Sequence, residues 1–219
     1  ISSRAQGTDI MEIALRSLLC AVEQVRLKHL DTITLANIRD TDVNALPLLT
    51  MCTTPGSAKR WSNIRILDIS MSSESNSPIK KDQLKLLREY IRSHKGLRRF
   101  CFRWVGARGP SPLPELALEQ EKKNTHPAFR DASSAALFPY LEYLTLVNVV
   151  VSIPQLQRLM QTHKSTLVEV DLENVVLKDG KWHDALAVMN GIEVKNETFD
   201  LTAEGDVPIM LASSMLSPH

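Results

Sequence analysis

The residue types that most often carry out chemistry are thinly spread in this sequence, and their spacing matches no catalytic or metal-binding motif. The three cysteines, Cys20, Cys52 and Cys101, lie far apart, whereas zinc sites and redox couples need closely spaced pairs. The sequence has no Gly-x-Ser-x-Gly turn, no glycine-rich phosphate loop and no His-Glu-x-x-His helix. We therefore expect no metal, no cofactor and no catalytic residue. Isolated cysteines favour a reducing intracellular compartment, the cytoplasm or the nucleus.

Two histidines nonetheless occupy similar positions, in His94-Lys95-Gly96 and in His163-Lys164-Ser165. Each follows a helical segment, where positive side chains complement the helix dipole, and Gly96 is expected to end the first helix in a left-handed conformation. Glu115 and Glu119 share a helical face, but such pairs in polar segments are usually solvated. These patterns argue against an enzyme, which stays the third hypothesis because catalytic residues can assemble from distant positions.

The elements that position these residues follow a repeat of apolar residues at positions one, four and six. Five copies of this frame occur, and the copies at Leu141–Val149 and Leu167–Val175 match each other best. The five frames are Leu30, Ile33, Leu35; Ile64, Leu67, Ile69; Leu97, Phe100, Phe102; Leu141, Leu144, Leu146; and Leu167, Val170, Leu172. Each frame alternates apolar with polar residues like a half-buried strand, and helical spacing precedes several of them.

Strands that alternate with crossover helices pair in parallel, and crossovers of one hand stack each unit on the last. The sequence therefore predicts an α/β solenoid, with a curved parallel sheet on one face and helices on the other. We expect helices over residues 9–29, 80–94 and 182–189, and a short one near Asp40 to Leu49, in which Pro47 is tolerated only if it lies in the first turn. A polar loop is expected from Met71 to Pro78, a last irregular strand near Ile192 to Val194 or Phe199 to Leu201, and a frayed tail after Met210.

The pattern resembles the leucine-rich repeat, whose strand reads L-x-x-L-x-L followed by Asn or Cys. The resemblance covers roughly residues 12 to 178. The family usually places its Asn three residues after the last strand leucine, whereas three asparagines here fall two residues after it: Asn37, Asn148 and Asn174. We therefore expect them not to form the family's regular buried ladder, and the next residues to turn inward: Ile38, Val149 and Val175. Phe138-Pro139-Tyr140 before a strand is similar to the divergent repeats of fungal F-box-like proteins.

The repeat period fails between residues 106 and 136, where several Gly and Pro residues interrupt any regular element. The frames at Leu97 and Leu141 begin 44 residues apart, against 26 to 34 elsewhere, which predicts an inserted loop at about 106–136. Residues 1–219 are otherwise expected to form a single irregular repeat domain. Because the chain starts at Ile1 with a helix and no preceding strand, we interpret it as a fragment of a longer protein.

Composition narrows the function classes. The chain of 219 residues is 43% hydrophobic and 23% charged, which is typical of a folded protein. Its 26 basic and 25 acidic residues give a net charge of +1, so we expect no nucleic-acid or membrane-surface binding, which favours a basic excess. No apolar run is long enough for a transmembrane helix.

The side chains between the strand leucines should project together from the concave face of the sheet. They place basic and aromatic residues in the middle of the array and acidic residues at its end. The candidate partner-binding residues are Arg99, Arg103, Trp104, Tyr143, Glu169, Asp171 and Glu173. Since Arg and aromatic residues often anchor interfaces, this face predicts a protein partner whose charge is divided in the complementary way.

The resemblance implies a protein–protein interaction module, the substrate-recognition part of an F-box-type ubiquitin-ligase receptor. No segment of this chain matches the F-box, so ligase-adaptor binding would require a region before residue 1. The alternative hypothesis is a structural or scaffold subunit of a larger assembly.

Overall fold

The computed structural model describes residues 4–24, 30–50, 61–73, 79–113, 138–186 and 193–195, which form a mixed α/β fold with a parallel sheet and helices. The strands are β1 (Thr32–Arg39), β2 (Ile66–Ser72), β3 (Arg99–Val105), β4 (Gly109–Pro110), β5 (Tyr143–Val147), β6 (Val149–Val151), β7 (Glu169–Glu173), β8 (Val176–Leu177) and β9 (Glu193–Lys195). The main helices are α1 (Arg4–Gln24), α2 (Lys81–Ser93), α3 (Ile153–His163) and α4 (Trp182–Leu186), with a 3₁₀ helix over Asp40–Thr50.

Six strands form one parallel sheet in the order β1-β2-β3-β5-β7-β9, so each strand pairs with its neighbours along the chain. The five predicted strands are confirmed, and each begins two residues after the first apolar residue of its frame. The sixth strand, β9, lies where a last strand was expected near Ile192. A second parallel sheet has the order β4-β6-β8. Each of its strands comes directly after a strand of the main sheet: β4 after β3, β6 after β5 and β8 after β7.

The core lies on one face of the main sheet. The register aligns the second frame position of all five repeats in one row, and the third position in another. The aligned side chains are Ile33, Leu67, Phe100, Leu144 and Val170, then Leu35, Ile69, Phe102, Leu146 and Leu172, all at most 7% exposed. Burying each stabilises the fold by about 1.5–3 kcal/mol, so these two rows are what hold the strands in register.

Three asparagines occupy equivalent positions, two residues after the third apolar residue of their frames. Asn37, Asn148 and Asn174 have φ values of 57°, 57° and 51°, in the left-handed region that Asn tolerates better than most residues. Between Leu35 and Ile38 the register of β1 against β2 shifts, and Ile38 pairs with Met71. The extra residue turns the next apolar side chain into the core, as predicted: Ile38, Val149 and Val175 are buried.

The prediction that these asparagines form no ladder is only partly correct. Asn148 donates its side-chain N–H to the carbonyl of Trp104 at 2.8 Å, and Asn174 donates to the Asn148 side-chain oxygen. These two asparagines are therefore linked. Asn37 takes a different arrangement, because its backbone N–H donates to the Ser70 hydroxyl at 2.9 Å.

The predicted helices that fall within the described residues are present, but they differ from the predictions in detail. α1 occupies residues 4–24, whereas residues 25–29 of the predicted helix lie outside the described residues. Pro47 lies at the eighth position of the 3₁₀ helix and not in its first turn, and the missing N–H at this point disfavours an α-helix. α3 begins with the capping box that Ser152 and Gln155 form.

The predicted role of the two histidines is wrong. His94 and His163 are 2% and 1% exposed, and burial lowers the pKa of both, that of His94 to about 4. They are therefore neutral at pH 7 and cannot complement a helix dipole as cations. His94 packs edge-on against Tyr90 with 4.9 Å between ring centroids, and His163 stacks on Phe138 at 6.2 Å. Both histidines are core residues.

Gly96 also serves a different purpose from the predicted one. The φ angle of Gly96 does not lie in the left-handed region. Among the described glycines, Gly106 and Gly180 have a positive φ. A Cβ atom at residue 96 would lie 2.7 Å from the carbonyl oxygen of Ser62, which is closer than real Cβ contacts. Glycine is required here by the close approach of the segment that precedes β2.

The inserted loop does not begin at residue 106 as predicted. β4 pairs with β6 through Gly109 and Pro110, and Leu113 is 2% exposed and part of the core. Gln155, itself buried, donates to the Leu113 carbonyl at 3.2 Å. The chain therefore stays packed to Leu113, because β6 and α3 offer it both a strand edge and a polar partner. Residues 114–137, including Glu115 and Glu119, lie outside the described residues, as do 74–78, 187–192 and 196–219.

Candidate binding surface on the open face of the sheet

The face of the main sheet opposite the core carries partly or fully exposed residues on every strand whose side chains are described. We call it the open face, and its residues alternate with the buried ones along each strand, except that Val147 at the end of β5 is itself buried. They are Thr32 and Thr34 on β1, Ile66, Asp68 and Ser70 on β2, Arg99, Cys101 and Arg103 on β3, Tyr143 and Thr145 on β5, and Glu169, Asp171 and Glu173 on β7.

The register places these residues in rows that cross the strands. One row runs Ile66, Arg99, Tyr143, Glu169, and the next runs Asp68, Cys101, Thr145, Asp171. Neighbouring strands lie about 4.8 Å apart, so each side chain has an immediate neighbour of different chemistry. Six of the seven sequence-predicted residues lie in these rows or in the row beyond them, which contains Arg103 and Glu173.

Arg99 and Arg103 make β3 the basic strand of the open face. Both are exposed, and the guanidinium carbon of Arg99 lies 4.8 Å from the centroid of the Tyr143 ring. This cation–π contact is worth about 0.5–1 kcal/mol at an exposed site, and it directs the arginine across β5. A flat guanidinium supported by an aromatic ring presents its N–H groups in a fixed plane.

The acidic strand of the open face is β7, which pairs with the far side of β5. Glu169 and Asp171 are half-buried, and Glu173 is exposed. On the other side of β7, the backbone register pairs Glu169 with Glu193 and Asp171 with Lys195 of β9. A basic strand and an acidic strand therefore lie on either side of β5, as the sequence predicted.

Cys101 lies in the middle of the open face between Asp68 and Thr145. Burial raises the pKa of its thiol to about 12, and the neighbouring Asp68 carboxylate adds to the rise. The thiol therefore stays protonated at neutral pH, and its position suits a packed polar residue better than a nucleophile.

Trp104 does not belong to the open face, and the prediction that placed it there is wrong. It is 2% exposed, packs edge-on against Phe102 with 5.7 Å between ring centroids, and donates its indole N–H to the Pro110 carbonyl at 3.1 Å. The cause is strand alternation, because Trp104 has the same parity as Phe100 and Phe102. That parity is visible in the sequence.

A further row of charges, which is not among the predicted site residues, lies just before the strands. Asp31, Arg65, Arg98 and Glu142 each follow the first apolar residue of a frame, and backbone hydrogen bonds of 2.7 to 2.8 Å join them in that order. Arg98 forms an ion pair with Glu142 at 3.0 Å. The signal that identifies this row is the second position of the repeat frame.

The described residues contain neither a metal-binding cluster nor a membrane-spanning helix. Among the described residues, no three His, Cys, Asp or Glu side chains lie together as a metal site would require. Within those ranges, none of the helices combines the length and the apolar character needed to span a bilayer. Comparisons with protein-family models, with curated proteins and with solved structures find no match to this chain.

Proposed function

We propose that this chain is a leucine-rich-repeat-like interaction module that binds another protein through the open face. The observation that supports it best is that a basic strand and an acidic strand lie on either side of β5. The side chains that these strands carry on the open face are partly or fully exposed. Such a charge pattern is suited to setting the orientation of a partner with the complementary pattern. The hydrophobic core lies on the other face of the sheet.

The shape of the open face favours a macromolecule over a small ligand. Five strands, β1, β2, β3, β5 and β7, at about 4.8 Å, each five to eight residues long at about 3.3 Å per residue, give a surface of roughly 20 by 20 Å. Small molecules bind in concave cavities that enclose most of their surface, whereas protein interfaces bury about 800 Å² on each partner. Arg99 and Tyr143 lie near the centre of this surface, where anchor residues are most effective.

The solenoid architecture is part of the same proposal. The strand order follows the chain order, the pairing is parallel throughout, and α1 and α2 both contact the 3₁₀ helix while α3 contacts α4. Units that contact only their neighbours are typical of solenoids. Small-angle X-ray scattering tests this directly, because an elongated, curved particle is expected and a sphere would contradict it.

We further propose that the module recognises substrates for an F-box-type ubiquitin ligase, a step that rests on the resemblance described above. The parent coding sequence upstream of Ile1 tests it. An F-box there, together with adaptor binding by the longer chain, is the expected result. A different upstream domain would favour a scaffold subunit instead.

The binding proposal is tested by charge reversal on the open face. Arg103→Glu and Asp171→Lys are expected to abolish capture of a partner identified with the wild-type chain, while their melting temperatures stay close to that of the wild type. Arg158→Glu is the matched control, because Arg158 is an exposed cation on α3, away from the sheet. Capture that survives both reversals would contradict the proposal.

A further inference from the structure

A shallow groove lies at the amino-terminal ends of β2 and β3, next to the open face. Its volume is about 410 Å³. It is lined by Ser62, Arg65, Lys95, Gly96, Arg98 and Tyr140. Three of these six residues are cationic, and the Tyr140 side chain, which is 55% exposed, adds an aromatic wall. The groove therefore combines three positive charges with an aromatic surface that a peptide can contact.

The backbone holds Arg65 and Arg98 side by side. The Arg98 N–H donates to the Arg65 carbonyl at 2.8 Å, and the Arg99 N–H donates to the same oxygen at 2.9 Å. The two arginines thus begin on neighbouring strands, about 4.8 Å apart. Like charges placed opposite each other on adjacent strands are destabilising, so an anion bound between them removes an existing repulsion.

The groove has more positive than negative charge. Arg98 pairs with Glu142, but this pair is exposed, with 52% and 33% of the two side chains accessible, and such pairs are weak. In the described part of the chain, no carboxylate forms an ion pair with Arg65 or Lys95. Lys95 follows α2, so its charge also suits the negative end of that helix. The groove lining contains three cations and no carboxylate, while Asp31 and Glu142 flank Arg65 and Arg98 in the row of charges before the strands.

We propose that this groove binds two adjacent carboxylates in an acidic segment of the protein partner. The inference rests on the proposed function and names the chemistry of the partner at one edge of the surface. Guanidinium groups bind carboxylates through two parallel N–H···O bonds, and two such groups on separate strands suit two separate carboxylates better than one compact phosphate. Such a segment brings negative charge to a lining that contains three cations and no carboxylate.

The groove is adjacent in sequence to the basic strand of the open face. Arg99 directly follows Arg98, and Arg103 lies further along β3. An acidic segment that enters at the groove can therefore continue along β3 towards Arg103. This line of cations gives the segment a direction, with its carboxylate pair fixed at the amino-terminal end of the strand.

The test uses a fluorescent Gly/Ser peptide with a central Asp-Glu pair, titrated with the full chain and followed by anisotropy. A peptide with Asn-Gln at the same positions measures binding that needs no charge, and one with phosphoserine and Asn tests the rival phosphate. Arg65→Gln and Lys95→Gln are each expected to weaken binding of the Asp-Glu peptide about tenfold. Arg65→Lys should recover only part of that loss, because an ammonium group lacks the planar fork. Arg158→Gln should change nothing.

Three outcomes would overturn the inference. They are equal binding of the Asp-Glu and Asn-Gln peptides, binding that ignores Arg65→Gln, and tight binding of the phosphoserine peptide alone. Arg103→Glu, measured on capture of the whole partner, keeps this test separate from the proposed function. If that reversal abolishes capture while the groove variants have no effect, the open face stands and the groove does not.

Discussion

The Arg99 guanidinium lies over the Tyr143 ring on the next strand, 4.8 Å from its centroid. The contact crosses the boundary between the basic strand and β5, so the ring determines where this positive charge points. Tyr143→Leu should therefore cost about 0.5–1 kcal/mol of unfolding free energy and weaken partner binding, while Tyr143→Phe, which keeps the ring, should do neither. Urea unfolding and a binding titration measure the two effects. A Leu variant that behaves like the Phe variant would show that the contact has no role.

The two faces of the sheet should respond in opposite ways to truncation. Leu146 and Leu172 are 0% and 2% exposed, so changing either to Ala should cost about 2–5 kcal/mol in chemical denaturation. Arg103→Ala and Asp171→Ala on the open face should each cost under about 1 kcal/mol. Partner binding should instead weaken in the two open-face variants. A partner that binds with affinity indifferent to all of these charges would rule out the open face as the recognition surface.

Acid should destabilise the chain through His94 and His163. The folded-state pKa of His94 is about 4 against an ordinary 6.5, and that of His163 is also lowered. The unfolded chain therefore takes up these protons first, and stability falls as pH decreases from about 6.5 to about 4, by roughly 3 kcal/mol for His94. Denaturation at several pH values measures the slope.

A variant separates this effect from general acid unfolding. His94→Phe keeps an aromatic ring against Tyr90 and removes the titrating group. The pH dependence between about 6.5 and 4 should become shallower, whatever the variant does to stability at pH 7. An unaltered slope in His94→Phe would show that His94 is not the group responsible.

The left-handed asparagines predict a difference between glycine and alanine. Asn174 has φ 51° and its side chain bonds to Asn148 and Arg108. Asn174→Gly loses these hydrogen bonds but accepts the backbone conformation, while Asn174→Ala loses both, so Ala should be less stable than Gly by about 1–2 kcal/mol. Asn37→Gly should be close to neutral, because the bond at that position is made by the backbone. Equal stability of the Gly and Ala variants would contradict the left-handed geometry.

Leu113 tests where the packed chain ends. It is 2% exposed, although the repeat pattern assigned it to an inserted loop, so Leu113→Ala should cost about 2–5 kcal/mol. Val105, which is 43% exposed at the end of β3, is the matched control, and Val105→Ala should cost much less. Thermal unfolding of both variants decides the matter. A Leu113→Ala protein as stable as the wild type would return this residue to the loop.

Much of the fold could be predicted because strand alternation and repeat spacing are local properties. The frame at Leu144 and Leu146 determines which side chains turn inward, and the parallel order follows from the helices between the strands. The same strand alternation indicates that Trp104 faces the core. The prediction for Trp104 relies on its closeness in sequence to two arginines, whereas its parity with Phe102 indicates a buried side chain.

Other features depend on contacts between distant segments, which spacing alone does not reveal. The neutral state of His94 arises from burial beside Tyr90 and Trp61, and Gly96 is required by the carbonyl of Ser62. Leu113 is packed in part because the side-chain N–H of Gln155, on another element, donates to its backbone carbonyl. The groove cations are adjacent only once β2 and β3 pair.

The order of the main sheet has a consequence for how this chain can change length. Each strand bonds only to the strands before and after it, and the sheet ends in two edges, β1 and β9, that do not meet. A unit of one strand and one helix can therefore be added or removed by duplication or deletion while the hydrogen bonds of the remaining strands keep their partners. Only the two surfaces at the junction must be matched again. A sheet with this strand order thus tolerates a change in the number of its strands, whereas a closed barrel would have to change its circumference.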